Sequence, residues 1–480
     1  MLPELKSTGS PGLDEVLRGG LPDSNLHLVQ GPPGSGKTTL ALQFLRAGLA
    51  IGEKALYITL SQTRDELARI AASHGWDLDG IDVVELHASN EGVPAEQSIF
   101  QTADLRLDQT RREIERSIEA HAPSRVVYDS LLEVRLLTLD DPRFHRELIG
   151  LRTALSRRGI TALLLDTEPS ATEAALGARD MQARGIVHGI ITLDKVLPNF
   201  GRAQRRIEVS KMRGIPVHDG WHDMDIRGGE GLAVFPRLVP SAGRLSMHAA
   251  TTPAPLIRSG VERLDDLFGG GMELGTTTMV VGQAGTGKST IASLYATAAL
   301  ERGEKVSLFL FEERPETLFR RSEGLGMKLR EQAASGALRM FDFNPNEITA
   351  GEFSQIAQRE ADIDGVRTIV IDSFTGYMAS VANEAQALFD IQALLKYLAR
   401  KEILTILVVA QRGLLGANDE VRLDLSFLGD TVLLLRMKED GGVVKRSLVP
   451  VKKRHGPHSM DIYELIIEPG RVEVGMARPS

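Results

Sequence analysis

"GPPGSGKT", Gly31 to Thr38, and "GQAGTGKS", Gly282 to Ser289, decide how this chain folds. Both satisfy Gly, any four residues, Gly, Lys, then Ser or Thr. Each follows an apolar run and leads into a helical pattern, the context in which such a loop wraps phosphates. Its glycines let backbone N–H groups turn inward around the anion. The first cradle comprises Gly34, Ser35, Gly36, Lys37, Thr38 and Thr39; the second comprises Gly285, Thr286, Gly287, Lys288, Ser289 and Thr290. Lys37 and Lys288 are expected to reach the β- and γ-phosphates of ATP, and Thr38 and Ser289 to offer a hydroxyl to Mg²⁺. One such loop alone could be a chance Gly-rich turn. Two in register make that a poor account.

The register extends outward from the loops. "GLDEVLRGGLPDSNLHLVQGPPGSGKTT", from Gly12, aligns without a gap on "RLDDLFGGGMELGTTTMVVGQAGTGKST", from Arg263, at a constant offset of 251 (282 − 31). Such a long repeat is a whole domain and no solenoid unit. The Ala-, Thr- and Pro-rich stretch 240–260 marks the join, so domains are expected over 1–243 and 244–480. Within each, apolar runs such as "NLHLVQ", "ALYITL", "RVVYDS" and "TALLLD" alternate with amphipathic stretches such as "DQTRREIERSIEAH". That alternation predicts an α/β fold, with a mostly parallel sheet flanked by helices.

Composition narrows the function. The 480 residues carry a formal charge of −8 and no cysteine. Disulfides and thiolate metal sites are excluded. The balance argues against nucleic acid as partner, because such binders present a basic face. No apolar run approaches the roughly 18 residues of a membrane span, and the N-terminus does not read as a signal peptide. A cytoplasmic location is expected.

A Mg²⁺-orienting aspartate belongs at the end of another apolar strand. "RVVYDS" offers Asp129 and "TIVIDS" offers Asp372, although either could merely cap the next helix. Hydrolysis also needs a group to orient or deprotonate water. "KVSLFLFEE" supplies Glu312 and Glu313 in the second unit, where they are expected to act with Lys288 in catalysis. Its counterpart "KALYITLSQ" ends in Ser61 and Gln62. A glutamine can orient water but cannot serve as a comparable base. The first site is therefore expected to hold ATP mainly as a structural ligand. Late in each unit, "RRIEVSKMRG" and "KRSLVPVKKRHG" place Lys211 with Arg213, and Lys452 with Arg454, on one strand face. Such a fork suits phosphate oxygens, and a solvated edge strand would look the same.

With these motifs in hand, nearly the whole chain resembles the KaiC family of circadian-clock ATPases and autokinases. The resemblance rests on the tandem phosphate loops, Glu312–Glu313, Asp129, Asp372, "KMRG", "VKKRHG" and the Gly269–Gly271 turn. It implies two tandem RecA-like P-loop NTPase domains stacked as a double-ring homohexamer, with ATP between subunits. It implies that Lys211, Arg213, Lys452 and Arg454 reach the neighbour's nucleotide. It also implies serine/threonine autokinase activity in the second domain, signalling or timing as the role, and a KaiB-like or downstream signalling protein as partner. In "DLSFLGDTVLLL", Ser426 matches the family's phosphoacceptor serine and Phe427 replaces the adjacent threonine. At most one phosphosite is expected there. The family's C-terminal tail, gripped by an activator, is not expected here. Two rivals remain open: a RecA- or helicase-like DNA motor, and a non-catalytic ATP-gated scaffold.

Overall fold

The computed structural model describes residues 4–86, 99–132, 141–167, 183–197, 203–238, 256–344, 347–381, 384–411 and 425–477. The chain divides into two compact units, Met1–Arg237 and Leu238–Ser480. The expected join at 243/244 lies outside the described residues.

Each unit is built on a nine-stranded sheet. In the first, the order from one edge is Ile81–Glu85, Ala55–Thr59, Arg125–Asp129, Thr161–Thr167, Leu26–Gly31 and Gly189–Val196, all parallel. Three antiparallel strands follow: Gln204–Met212, Trp221–Arg227 and Gly231–Phe235. The second unit repeats this order, from Leu338–Asp342 through Lys305–Leu310, Val366–Asp372, Leu404–Ala410, Thr277–Gly282 and Thr431–Asp440. Its antiparallel extension is Val443–Lys453, Tyr463–Glu468 and Arg471–Ala477. These are two tandem RecA-like domains of mostly parallel sheet flanked by helices.

The parallel strands read as unbroken apolar runs because both faces are covered. Val127 points into the core that holds Val29, Tyr57 and Leu163. Its neighbours Val126 and Tyr128 point into the opposite core with Leu28, Ile58 and Leu164. In both units the connection leaving the phosphate-loop strand runs one way across the sheet, while those leaving its two neighbours run the other way. The next strand in sequence, Ala55–Thr59, lies three places away. Ligand crevices form at the carboxyl ends of strands at such a switch point.

Candidate nucleotide sites

Both phosphate loops sit at that end of the sheet. Helices Lys37–Leu49 and Lys288–Glu301 follow Gly36 and Gly287, whose φ angles of 111° and 101° lie in the left-handed region. A side chain is excluded there on a second count. A Cβ on Gly36 would come within 2.9 Å of Ile226 Cδ1, and one on Gly287 within 2.5 Å of Ile467 Cδ1. The helix N-termini, with unpaired N–H groups and a positive dipole end, therefore face the loops, as an anion site requires.

At the first site, Lys37 Nζ donates to the carbonyls of Gly31 (2.7 Å) and Pro32 (3.0 Å). Burial lowers the pKa of this ammonium, against the carboxylates of Asp129 and Asp166, which favour its charge. Asp129 ends its strand at the expected place. Tyr57 donates its phenol to Asp129 Oδ2 at 2.7 Å, and Thr38 is hydrogen-bonded to the same phenol. Burial raises the Asp129 pKa, opposed by the Tyr57 hydrogen bond and Lys37.

The second site keeps this plan and adds charge. Lys288 Nζ donates to the Gln283 carbonyl at 2.7 Å. Burial lowers its pKa, opposed by Asp372 and Glu312. Asp372 is raised first by burial, with a hydrogen bond from Ser289 and the charge of Arg321 opposing, and Glu313 and Glu312 adding to the rise. Thus Lys288, Ser289, Asp372 and Glu312 lie together at one end of the sheet. Phe311 fixes the carboxylate pair. Its ring lies 5.2 to 5.8 Å from those of Phe343, Phe353 and Tyr377, and its N–H donates to the Asp372 carbonyl at 2.8 Å.

The two carboxylates then diverge. Glu312 is exposed beside Lys288, whereas Glu313 is half-buried and forked by Arg321 at 2.7 and 3.2 Å. The matching first-unit residues are an exposed Ser61 and a half-buried Gln62, whose N–H is tied to Thr59 Oγ1 at 2.9 Å. A carboxylate is nevertheless present near Lys37. Asp166 lies next to the phosphate-loop strand, paired with Gln30, where the second unit has Val409 paired with Val281.

The candidate Mg²⁺ ligands at both sites, Thr38, Asp129, Ser289 and Asp372, offer oxygen. Among the described residues no group of three or more His, Cys, Asp or Glu could hold a metal. Mg²⁺ needs none, since it takes one or two protein oxygens and completes its shell with phosphate and water. Thr38 with Asp129, and Ser289 with Asp372, fit that demand.

The basic pairs lie elsewhere. Lys211 pairs with Ile190, which neighbours Leu28; Lys452 pairs with Val432, which neighbours Met279. Both registers fall three residues short of Gly31 and Gly282, about 10 Å along the strand at 3.3 Å per residue. The strands end at Met212 and Lys453, so Arg213 and Arg454 stand one residue beyond them. Their backbone N–H groups carry the pairing one step further, to the His188 (3.0 Å) and Asp430 (2.9 Å) carbonyls. Lys211 Nζ reaches the Arg184 carbonyl (2.5 Å), and Arg213 the Gly185 carbonyl (3.2 Å). Lys452 Nζ binds the carbonyls of Ser426 (2.7 Å) and Gly429 (2.8 Å), while Arg454 binds Asp430 Oδ1 (3.1 Å) and the Phe427 carbonyl (3.2 Å). Ser426 and the second basic pair thus form one exposed cluster, remote from their own phosphate loop.

Four residues escaped sequence reasoning. Asp166 ends "TALLLD", and its strand-end position was a usable signal. Arg446 donates to the Gly285 carbonyl at 3.0 Å from the head of the second basic cluster. Tyr57 and Arg321 carried no local signal.

Comparison with known proteins follows the same boundaries. The family model described as "ATPase: KaiC" matches residues 6–239 and 257–478. The circadian clock oscillator protein KaiC of Thermostichus vulcanus is 28% identical over 96% of this chain and 87% of its own. That of Synechococcus elongatus is 28% identical over 95% and 86%, and that of Prochlorococcus marinus 28% over 96% and 90%. The chain belongs to the KaiC ATPase family, with one ATPase domain of that family in each half.

Proposed function

We propose that this protein is a Mg-ATP-dependent, double-ring ATPase whose chemistry is concentrated in the second domain, and that this domain also phosphorylates Ser426. The observation that carries the catalytic assignment is the convergence of Lys288, Ser289, Asp372 and Glu312, with Ser61 in place of Glu312 in the first unit. Lys288 and the helix N-terminus behind it bind the phosphates. Ser289 and Asp372 hold Mg²⁺, which when bound neutralises charge building on the phosphates. Glu312 takes the proton of an attacking water. The new P–O bond forms as the bond to the β-phosphate oxygen breaks, and ADP leaves.

Assembly is supported by the basic pairs. At the sheet end away from their own phosphate loops, Lys211 with Arg213 and Lys452 with Arg454 suit a neighbour's nucleotide. A head-to-tail contact of this kind closes into a ring, and six subunits are proposed. Ser426 would enter the same neighbouring site, with Glu312 there taking the hydroxyl proton. The first site holds nucleotide chiefly for assembly. A cytoplasmic signalling or timing role, with a KaiB-like or downstream protein as partner, is proposed from the clock relatives. Mg²⁺ is proposed from the oxygen donor sets.

Native mass spectrometry of the purified chain with and without Mg-ATP, followed by phosphopeptide mapping, tests this reading. Hexamers that form with nucleotide and a single phosphosite at Ser426 are expected. A monomer at saturating ATP would sink the shared-site model.

A further inference from the structure

Arg321 lies outside the motifs on which the ATPase assignment stands. It projects from helix Pro315–Glu323, which follows the carboxylate loop directly. Its Nη2 and Nε hold Glu313 Oε2 and Oε1 at 2.7 and 3.2 Å, and its Nη1 reaches Thr290 Oγ1 at 3.3 Å. Thr290 is buried in the first turn of the phosphate-loop helix, two residues beyond Lys288. One planar guanidinium therefore ties the loop that carries Glu312 to the helix that carries the phosphate cradle. A bidentate fork gives fixed geometry as well as attraction. The first unit replaces both partners together: at the same offset of 251 (313 − 62 and 321 − 70), Gln62 stands for Glu313 and Ile70 for Arg321. Thr39, the counterpart of Thr290, instead lies 3.4 Å from His74 Nε2. A solvated surface pair would have no reason to reach a buried hydroxyl of the phosphate-loop helix.

We propose that Arg321 is a positioning residue of the second site: it clamps Glu313 and Thr290 together, so that Glu313 serves as an anchor and Glu312 is held at a fixed distance from the phosphate loop. The inference rests on the second site being the hydrolytic one, and its test separates the two ideas.

The experiment compares Arg321→Ala, Glu313→Gln, the double variant and Arg321→Lys in the full chain, after subtracting the turnover left in Glu312→Gln. Each single variant should lower kcat about tenfold, since small misplacements of a reacting group cost that much or more. KM for ATP should stay within about twofold, because Lys288 and the glycines that wrap the phosphates keep their own contacts. The double variant should be no worse than either single, because both remove one clamp. Arg321→Lys, which keeps the charge and loses the fork, should fall between wild type and Arg321→Ala. If Glu313→Gln is as inactive as Glu312→Gln while Arg321→Ala is near wild type, Glu313 is chemical and the clamp is wrong. Losses that multiply in the double variant would overturn it equally. Amide hydrogen exchange provides a readout independent of turnover. Arg321→Ala should speed exchange across residues 311–316 at least about tenfold, and unchanged exchange there rejects the clamp. A wild type that hydrolyses no ATP refutes the hydrolytic reading alone, and exchange still decides the clamp.

Discussion

Glu312 and Glu313 are adjacent in the chain and occupy different surroundings: one exposed beside Lys288, the other gripped by Arg321. Replacing both by glutamine should remove most ATP turnover, because the base and the anchor go together while the charge-neutral shape is kept. A steady-state phosphate-release assay checks this. Survival of more than about half the activity would credit Gln62, acting as a water-positioning group, or Asp166, with the remaining hydrolysis. Lys37→Ala should instead weaken assembly more than turnover, which sedimentation with ATP can resolve from the same preparation. Residues of this kind differ in how far the sequence reveals them. The phosphate loops were legible because the chemistry is local: glycines, lysine and hydroxyl are neighbours along the chain. Asp129 and Asp372 were legible because an apolar strand ends on each. Arg321 was not, because its meaning depends on which way a helix turns its eighth residue after Glu313. Asp166 was less legible, because "TALLLD" has the apolar run of a buried strand and no neighbouring motif marks its last carboxylate.

Among the elements, the parallel strands were plain in the sequence, since a strand covered on both faces must be apolar throughout. The three antiparallel strands of each unit were legible only where a basic cluster marked one of them. Gln204–Met212 mixes half-buried polar residues with Ile207 and Val209, a pattern that gives a strand but no pairing. The phosphate-loop strand also contains a titratable group that the packing makes consequential. His27 is fully buried, and its Nε2 lies 3.2 Å from the Pro22 carbonyl. Gly189, on the adjacent strand, has no side chain because a Cβ would come within 2.5 Å of His27 Nδ1. Burial lowers the His27 pKa to about 4. A folded-state pKa below the unfolded value means that the unfolded chain binds the proton more readily. The stabilisation is therefore complete above about pH 6.5 and is lost as pH falls towards 4, a swing of about 3 kcal/mol. His188 and His222 are also lowered, chiefly by burial, and act in the same direction. Thermal unfolding of the first unit should thus shift downward between pH 7 and pH 4. His27→Gln should flatten part of that slope. An unchanged slope in the variant would show that His27 is charged or hydrated in the folded protein.

For the whole molecule, the role proposed for the basic pairs would make a single subunit an incomplete enzyme. Arg213→Ala should loosen the first ring without unfolding the subunit, because the side chain is exposed and its hydrogen bond among the described residues is a 3.2 Å contact with the Gly185 carbonyl. Native mass spectra should then show hexamers giving way to smaller species at ATP levels that hold the wild type together, with circular dichroism unchanged. Phosphorylation belongs to the same scale, since its donor and acceptor would come from different subunits. Ser426 is exposed, and Lys452 Nζ holds its carbonyl at 2.7 Å. An incoming γ-phosphate would meet the hydroxyl and two cations on one surface, while Phe427, 44% exposed, presents a ring and no acceptor. Label from γ-labelled ATP should accumulate on Ser426 and vanish in Ser426→Ala, Lys288→Ala and Glu312→Gln. Mixing active subunits that lack Ser426 with Lys288→Ala subunits that retain it should restore labelling, because one supplies the site and the other the hydroxyl. The added charge of about −1.5 to −2 would sit beside Lys452 and Arg454 and compete with the neighbour's nucleotide for them. Phosphorylated rings should therefore bind ATP at the second site less tightly and exchange subunits faster. Label on Thr431, or no restored labelling in mixed rings, would defeat transfer between subunits and leave the ATPase to stand without a phosphoacceptor.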